Sequence, residues 1–118
     1  MTAVIFEAFP AAGQWDQYLD MAAMLRPELN KIDGFISIER FQGITNPEKV
    51  LSLSFWKDEE SIHQWRNIEL HRMAQKEGRN SIFENYRLRV ANVLRDYGMH
   101  ERAQAPEDSK IVHDQKHK

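Results

Sequence analysis

One segment of the chain, residues 61–79, carries the side chains that acid–base chemistry on an aromatic molecule requires. Trp65 offers a flat apolar surface on which a ring can stack, and His71 follows six residues later. The unperturbed pKa of histidine is about 6.5, so its imidazole can accept a proton at neutral pH. Trp65 and His71 are therefore the candidate catalytic pair. The alternative is that Trp65 anchors the core and His71 lies on the surface.

Two arginines are candidates for stabilising the negative charge that proton removal creates. Arg66 follows Trp65 directly, and Arg87 lies on the last predicted strand in period two with Arg89 and Arg95. Spacing alone does not choose between Arg66 and Arg87 as substrate-binding residues. The alternatives are a solvated helix face for Arg66 and a charged sheet edge for Arg87, and the period-two pattern favours the edge.

The catalytic hypothesis for His71 demands a particular helix shape. In a straight helix a separation of six residues turns His71 about 120° away from the direction of Trp65. His71 would then lie at the edge of the helix and not in a pocket. We therefore predict a break in this helix between about Asn67 and Glu69.

Composition and spacing exclude several other kinds of site. The chain has no cysteine, which excludes disulfides, thiolate metal sites and a cysteine nucleophile. His63 and His71 are eight residues apart, not the four that place two metal ligands on one helix face. His100, His113 and His117 lie in the C-terminal tail. We expect no metal and no cofactor.

The charge balance argues against two classes of partner. Sixteen Lys and Arg residues against eighteen Asp and Glu give a net charge of −2 and a pI near 6.2, whereas nucleic-acid-binding domains are usually basic. No apolar run approaches the roughly 18–20 residues of a membrane span, and the N-terminus lacks the basic region of a secretory signal. We expect a cytoplasmic protein that binds neither nucleic acid nor membrane.

Hydrophobic periodicity predicts a β-α-β-β-α-β order, which is the ferredoxin-like α+β arrangement of one antiparallel sheet with two helices on one face. A helical stripe ends near Ile32, and Pro27 within it predicts a kink or a restart near Arg26. The predicted strands are 3–9, 35–41, 50–56 and 87–97, and the predicted helices are 14–32 and 58–77. Residues 1–98 form the domain, and residues 99–118 are a C-terminal arm that is mobile or docks on a partner subunit.

Alternation in the two central strands predicts a homodimer joined through the sheets. Ile36, Ile38, Leu51, Leu53 and Phe55 are assigned to the helix-covered face. The opposite sides then carry Phe35, Phe41, Val50 and Trp56, which is too much aromatic surface to face water. A second copy of the sheet would cover it.

The run from Gly34 to Phe41, the segment from Leu51 to Arg66 and the last strand resemble the antibiotic biosynthesis monooxygenase family over residues 2–97. The resemblance implies a dimeric α/β barrel built from ferredoxin-like subunits. Some members oxygenate phenols to quinones without metal or flavin, some bind and degrade haem, and others have no known substrate.

Trp65 matches the helix tryptophan that lines the pocket of both oxygenase branches. His71 stands where the quinone-forming branch has a tyrosine, Ser61 stands where that branch has an asparagine, and Gln75 replaces the histidine of the haem-degrading branch. The resemblance implies that Ser61 and Trp65 are substrate-binding residues. The resemblance implies a cofactor-independent monooxygenase acting on a small aromatic or enolisable substrate between the sheet and the second helix. Two alternatives remain, a non-catalytic dimeric ligand-binding or stress-associated module and a haem-binding or haem-degrading protein.

Overall fold

A computed structural model of the chain describes the backbone of residues 1–75 and 82–114 and the side chains of residues 1–68 and 82–112. Four strands form one antiparallel sheet in the order β2-β3-β1-β4. The predicted ferredoxin-like α+β order is confirmed. The elements are β1 (Thr2–Pro10), α1 (Trp15–Leu29), β2 (Phe35–Gln42), β3 (Val50–Trp56), α2 (Glu59–Gln75), β4 (Phe83–Asn92), α3 (Glu107–Ser109) and a π-helical turn (Lys110–Asp114).

Helix α1 packs through the stripe that its sequence predicts. The five stripe positions are all buried, and they are Tyr18, Ala22, Leu25, Leu29 and Ile32. The helix ends at Leu29, not at the predicted residue 32, so Ile32 is buried just after the helix. The helix continues through Pro27 to Leu29, so the predicted restart near Arg26 does not occur. Pro27 has no N–H to donate to the Ala23 carbonyl oxygen, yet the helix continues past it, and Asn30 donates its backbone N–H to the Arg26 carbonyl oxygen at 3.4 Å.

Helix α2 runs from Glu59 to Gln75 as one helix. The break predicted between Asn67 and Glu69 is therefore wrong. None of these positions is a proline or a glycine, the residues that commonly interrupt a helix. The side chain of His71 lies outside the described residues, and so do the predicted stop at Gly78 and the end of the helix near Glu77.

Strand β4 lies earlier in the chain than the predicted residues 87–97. It runs from Phe83 to Asn92 because it pairs with β1 from Pro10 back to Thr2, and no residue of β1 remains to pair beyond Asn92. Arg95 consequently lies outside the strand. Val93 extends the contact by donating its backbone N–H to the Met1 carbonyl oxygen at 3.0 Å.

The two faces of β3 are the reverse of the prediction. Val50 and Trp56 are 4% and 1% exposed and pack in the core beneath the helices, and Ser52 and Ser54 lie on the same side. The alternating Leu51, Leu53 and Phe55 are half-buried on the side of the sheet that carries no helix, here called the open face.

Strand β2 follows the prediction only in part. Ile38 lies opposite Ser54 on the covered side and Phe41 lies opposite Leu51 on the open face. A register shift between Phe35 and Ser37 puts Phe35 opposite Trp56, with which it makes an edge-to-face contact at 5.2 Å. This irregularity leaves Ile36 53% exposed instead of covered, which a strict period of two cannot anticipate.

Candidate functional site

A cavity of about 200 Å³ lies between the covered face of the sheet and the two long helices. Aromatic and aliphatic side chains make up most of its wall, with polar groups at a few points, as is usual for small-molecule sites. The described residues that line it are Val4, Phe6, Tyr18, Met21, Ala22, Leu25, Ile38, Arg40, Ser52, Ser54, Trp56, Glu59, Ile62, His63, Trp65, Arg66, Phe83, Leu88 and Val90.

The cavity lies between two separate clusters of core side chains. One cluster is built around Trp56 and Ile62, with Trp65 packed against it. The other is built around Tyr18 and Ala8, with Phe6 and Phe83 packed against it. Both clusters contribute walls to the cavity, so the cavity lies at the junction of the two parts of the core.

Two serines on β3 leave space for the cavity because their side chains are small. Ser52 and Ser54 are 8% and 5% exposed, and both line the cavity. Ser54 Oγ accepts a hydrogen bond from the indole Nε1–H of Trp56 at 2.9 Å, which fixes the large ring beside the cavity. A leucine at either serine position would project into the space.

Helix α2 supplies the polar side of the wall. Glu59, Ile62, His63, Trp65 and Arg66 all line the cavity. At about 100° per residue these positions span roughly 160° of the helix circumference. His63 and Arg66 are exposed, whereas Trp65 is half-buried, so an acid–base group and a cation meet solvent at the edge of an aromatic wall.

His63 is a candidate that the sequence reasoning treated only as half of a rejected metal pair. Its signal was available, because His63 and Arg66 follow Glu59 by four and seven residues and therefore share a helix face with it. The structure places His63 at the cavity together with Trp65.

Arg40 is a second residue that sequence reasoning missed. It follows Ile38 by two residues on β2, and period two places both on the covered side. Arg40 is half-buried at the cavity wall, where its Nε–H donates to Tyr18 Oη at 3.2 Å. The guanidinium carbon lies 5.9 Å from the centroid of the Tyr18 ring.

The predicted site residues are only partly brought together. Trp65 and Arg66 line the cavity. Arg87 lies opposite Glu7 of β1, so the pleat directs it to the open face and away from the cavity. The catalytic role of His71 depended on a break that α2 does not contain, and the His71 side chain lies outside the described residues.

Ser61 is buried at the start of α2 and does not line the cavity. Its Oγ–H donor lies within bonding distance of Asp58 Oδ1 at 2.8 Å and of the Asp33 carbonyl oxygen at 3.0 Å, while its backbone N–H donates to Asp58 Oδ1 at 3.0 Å. The two bonds that Asp58 accepts from Ser61, the one from the backbone N–H first, lower the pKa of Asp58 below its usual value. A Cβ at Gly34, whose φ is +97°, would collide with Ser61 Oγ. Ser61 thus holds the helix start against the preceding loop.

The open face carries a charged group that the sequence did not single out. Glu7 accepts a bond from Lys49 Nζ at 2.7 Å and one from Arg89 Nη1 at 2.9 Å. The bond from Lys49, followed by that from Arg89, lowers the pKa of Glu7 below its usual value. The group therefore stays ionised and paired at neutral pH.

Among the described residues, no group of three or more His, Cys, Asp or Glu side chains is arranged to hold a metal ion. In the same part of the chain no helix combines the length and apolar character needed to cross a membrane.

The sequence model of the family described as "Antibiotic biosynthesis monooxygenase" matches residues 1–77. A jasmonate monooxygenase ABM of Pyricularia oryzae is 50% identical over 93 residues. That match covers 79% of this chain but 43% of the relative, so the chain spans less than half of the relative's length.

Two solved structures share the fold. A structure described as an antibiotic biosynthesis monooxygenase has a TM-score of 0.65 and 14% identity, covering 80% of this chain and 99% of that one. The heme-degrader MhuD from Mycobacterium tuberculosis, with two hemes bound in its active site, has a TM-score of 0.61 and 17% identity, covering 83% of this chain and 100% of MhuD.

Proposed function

The chain belongs to the antibiotic biosynthesis monooxygenase family, and we propose that it is a cofactor-independent monooxygenase acting on a small aromatic or enolisable molecule. The observation that carries the proposal is the cavity between the sheet and α2, where an apolar wall meets His63 and Arg66 beside Trp65. This combination supplies a surface for a ring, a proton acceptor and a cation.

The chemistry needs few groups from the protein. A phenol reacts slowly with oxygen while neutral, whereas its anion is electron-rich enough to donate an electron. Oxidation of a phenol to a quinone consumes one O₂, places one oxygen atom in the product and releases the other as water. All four electrons come from the phenol, and no separate reductant is required. The protein must remove a proton, stabilise an oxyanion and limit access of water.

We assign the proton acceptor to His63, the stacking wall to Trp65 and the oxyanion partner to Arg66. His63 is chosen because it lines the cavity and because the helix is continuous. His71, predicted from the sequence, is retained as the competing base in the experiment. Ser61 and Arg87 have no part in this proposal, since neither lines the cavity.

The test is oxygen uptake by the purified protein with a panel of naphthols, anthrones and cyclic 1,3-diketones. We expect substrate-dependent uptake and one ¹⁸O atom per product molecule when ¹⁸O₂ is supplied. No uptake with any member of the panel, together with saturable binding of one of them, would support a non-catalytic binding module instead.

Three histidine variants then assign the base. His63→Ala should lower turnover by roughly 10²–10⁴-fold, whereas His100→Ala, an exposed histidine distant in sequence from the cavity, should leave it unchanged. Loss of turnover in His71→Ala with full activity in His63→Ala would return the role to His71.

We propose further that the protein works without haem or metal. Gln75 is a poor ligand for haem iron in place of the histidine that the haem-degrading branch uses. Titration with haemin should give no sharp, saturable one-to-one shift of the Soret band. A saturable shift that His63→Ala or His71→Ala abolishes would favour the haem-binding alternative.

A further inference from the structure

One charged group in the cavity wall has no part in the proposed reaction. Arg40 on β2 is half-buried, and Tyr18 on α1 is 3% exposed. Their side chains meet through the Nε–H to Oη hydrogen bond of 3.2 Å, and both line the cavity.

The positive charge of Arg40 lacks a negative partner within the described part of the chain. The ion pairs found there within 4.0 Å join other residues, namely Lys31 with Glu28 and Glu7 with both Lys49 and Arg89. A half-buried cation that contacts only a neutral hydroxyl oxygen has lost part of its hydration without gaining an opposite charge. An anion bound in the cavity would supply the missing negative charge.

The donors that remain define the shape of that anion. Because Nε is used by Tyr18, the two Nη nitrogens are left as a planar end-on pair, which matches the two oxygens of a carboxylate. Tyr18 Oη accepts from Arg40, so its own hydroxyl hydrogen remains available to a ligand. Ser52, directly opposite Arg40 in the β2–β3 register, adds a hydroxyl on the same side of the sheet. A phenolate has one oxygen, so it can accept from the two Nη nitrogens only at a shared atom and not as two parallel bonds.

We propose that Arg40, with Tyr18 and Ser52, binds the carboxylate of a small carboxylic acid whose apolar part fills the rest of the cavity. This inference rests on the proposed function for the identity of the site, and it adds the substrate class. Tyr18 belongs to one core cluster and Trp65 to the other, so the acid group is held on the Tyr18 side and the reacting group is presented to α2.

Binding measurements test this without turnover. The probes are 2-naphthoic acid, its primary amide and 2-naphthol, which share one ring system and differ in the group offered to Arg40. Isothermal titration of the wild-type protein at neutral pH should give at least about tenfold tighter binding of the acid than of the amide. Equal affinity for the two would overturn the proposal.

Variants of Arg40 test whether this residue causes the tighter binding of the acid. Arg40→Gln should abolish the preference for the acid, and Arg40→Lys should keep part of it, because a charge remains but the planar pair of donors is lost. Arg95→Gln, at an exposed arginine outside the sheet, is the matched control and should behave as wild type. Thermal unfolding of each variant confirms that it is folded. An acid preference that survives in folded Arg40→Gln would overturn the assignment.

The two proposals fail separately. An acid preference that depends on Arg40, in a protein that consumes no oxygen, would uphold the carboxylate site and reject the monooxygenase. Oxygen uptake with 2-naphthol, combined with equal binding of acid and amide, would uphold the monooxygenase and reject the carboxylate site.

Discussion

Asp58 shows how one side chain sets the position of the helix that lines the cavity. Its carboxylate accepts from the backbone N–H of Ser61, three residues later, which is the geometry of a helix N-cap. The same Ser61 reaches back to the Asp33 carbonyl oxygen, beside Gly34. The resemblance assigned Ser61 to the substrate because it compared residue positions, whereas the hydrogen bonds that occupy its hydroxyl depend on the folded loop.

We expect Asp58→Ala to lower the midpoint of thermal unfolding by a few degrees, with a dependence on pH. Since the pKa of Asp58 is lowered in the folded protein, the unfolded chain binds its proton more readily, and acid favours unfolding. The stabilisation by the ionised Asp58 carboxylate is complete above pH 3.8, the usual pKa of the group. It is lost as the pH falls through the lower pKa that Asp58 has in the folded protein.

The measurement is thermal unfolding by circular dichroism at pH 6 and at pH 3. The difference between wild type and Asp58→Ala should shrink at the lower pH, and Gln64→Ala, at an uncharged exposed position of the same helix, should show no such change. An equal difference at both pH values would contradict the assignment of the effect to the ionised carboxylate.

At the scale of elements, the sequence of β3 showed which residues alternate but not which set of them faces the core. Leucines on one side and serines on the other predict that the leucines face the core, since apolar residues are usually buried. The structure reverses this because the core beside the serines is a cavity, where small side chains are required. The fold could be predicted from the period of the pattern alone. The site could not, because it depends on which face of the sheet the helices leave uncovered, and the sequence of one strand does not show that.

The residues that line the cavity were predictable only in part. Trp65 and Arg66 were found because their types and spacing suit a ligand site. Arg40 was passed over because its contact at the cavity is with Tyr18 on α1, which is distant in sequence. His63 was passed over because it was considered only as half of a metal pair. The break near Asn67 was inferred from a catalytic requirement on His71 and not from any helix-breaking residue.

Filling the cavity from α1 should separate stability from ligand binding. Ala22→Leu adds apolar atoms at a buried position that lines the cavity, which should raise the free energy of unfolding by up to about 2 kcal/mol where the side chain fits. Binding of 2-naphthoic acid should fall at least about tenfold. Ala23→Leu, on the exposed side of the same helix, should change neither quantity. Undiminished binding in Ala22→Leu would mean that the ligand occupies another place.

At the scale of the whole molecule, the open face is the surface through which we propose that two copies associate. Leu51, Leu53 and Phe55 lie there in a row, flanked by Phe41, which is 43% exposed. The homodimer predicted from the sequence therefore remains a proposal with a different set of contact residues. Trp56 no longer tests it, because Trp56 is 1% exposed within one chain and Trp56→Glu would unfold the subunit itself.

Leu53→Glu tests the proposed interface more directly than Trp56→Glu does. It places a charge in the proposed interface, which should bury on the order of 2,000 Å², while leaving the covered core intact. Sedimentation equilibrium at micromolar concentration should show a dimer for the wild type and a folded monomer for Leu53→Glu. Leu19→Glu, at an α1 position 49% exposed, is the control and should stay dimeric. A monomeric wild-type protein would end the proposal.

We also propose that residues 99–118 form an arm that docks on the partner subunit. The Cα radius of gyration is 17.8 Å, whereas a compact chain of this length has about 13–14 Å. Arg102 donates to Ser109 Oγ within the arm at 2.7 Å and to the carbonyl oxygen of Gly98, the residue before the arm, at 3.1 Å. Its Met99, Ile111 and Val112 are 82%, 52% and 56% exposed. Removal of residues 99–118 should weaken the dimer, and an unchanged dissociation constant would contradict the docking.

If the cavity between the two core clusters binds the proposed ligand, we expect the amount of this protein in a cell to depend on the supply of that ligand. A ligand that binds only the folded state raises the free energy of unfolding by about 2.7 kcal/mol at a hundred times its Kd. Proteases remove chains that have unfolded, and a change of about 1–2 kcal/mol alters steady-state abundance several-fold. A domain whose core is completed by its ligand should therefore accumulate when the ligand is plentiful and be degraded when it is scarce, with no change in synthesis.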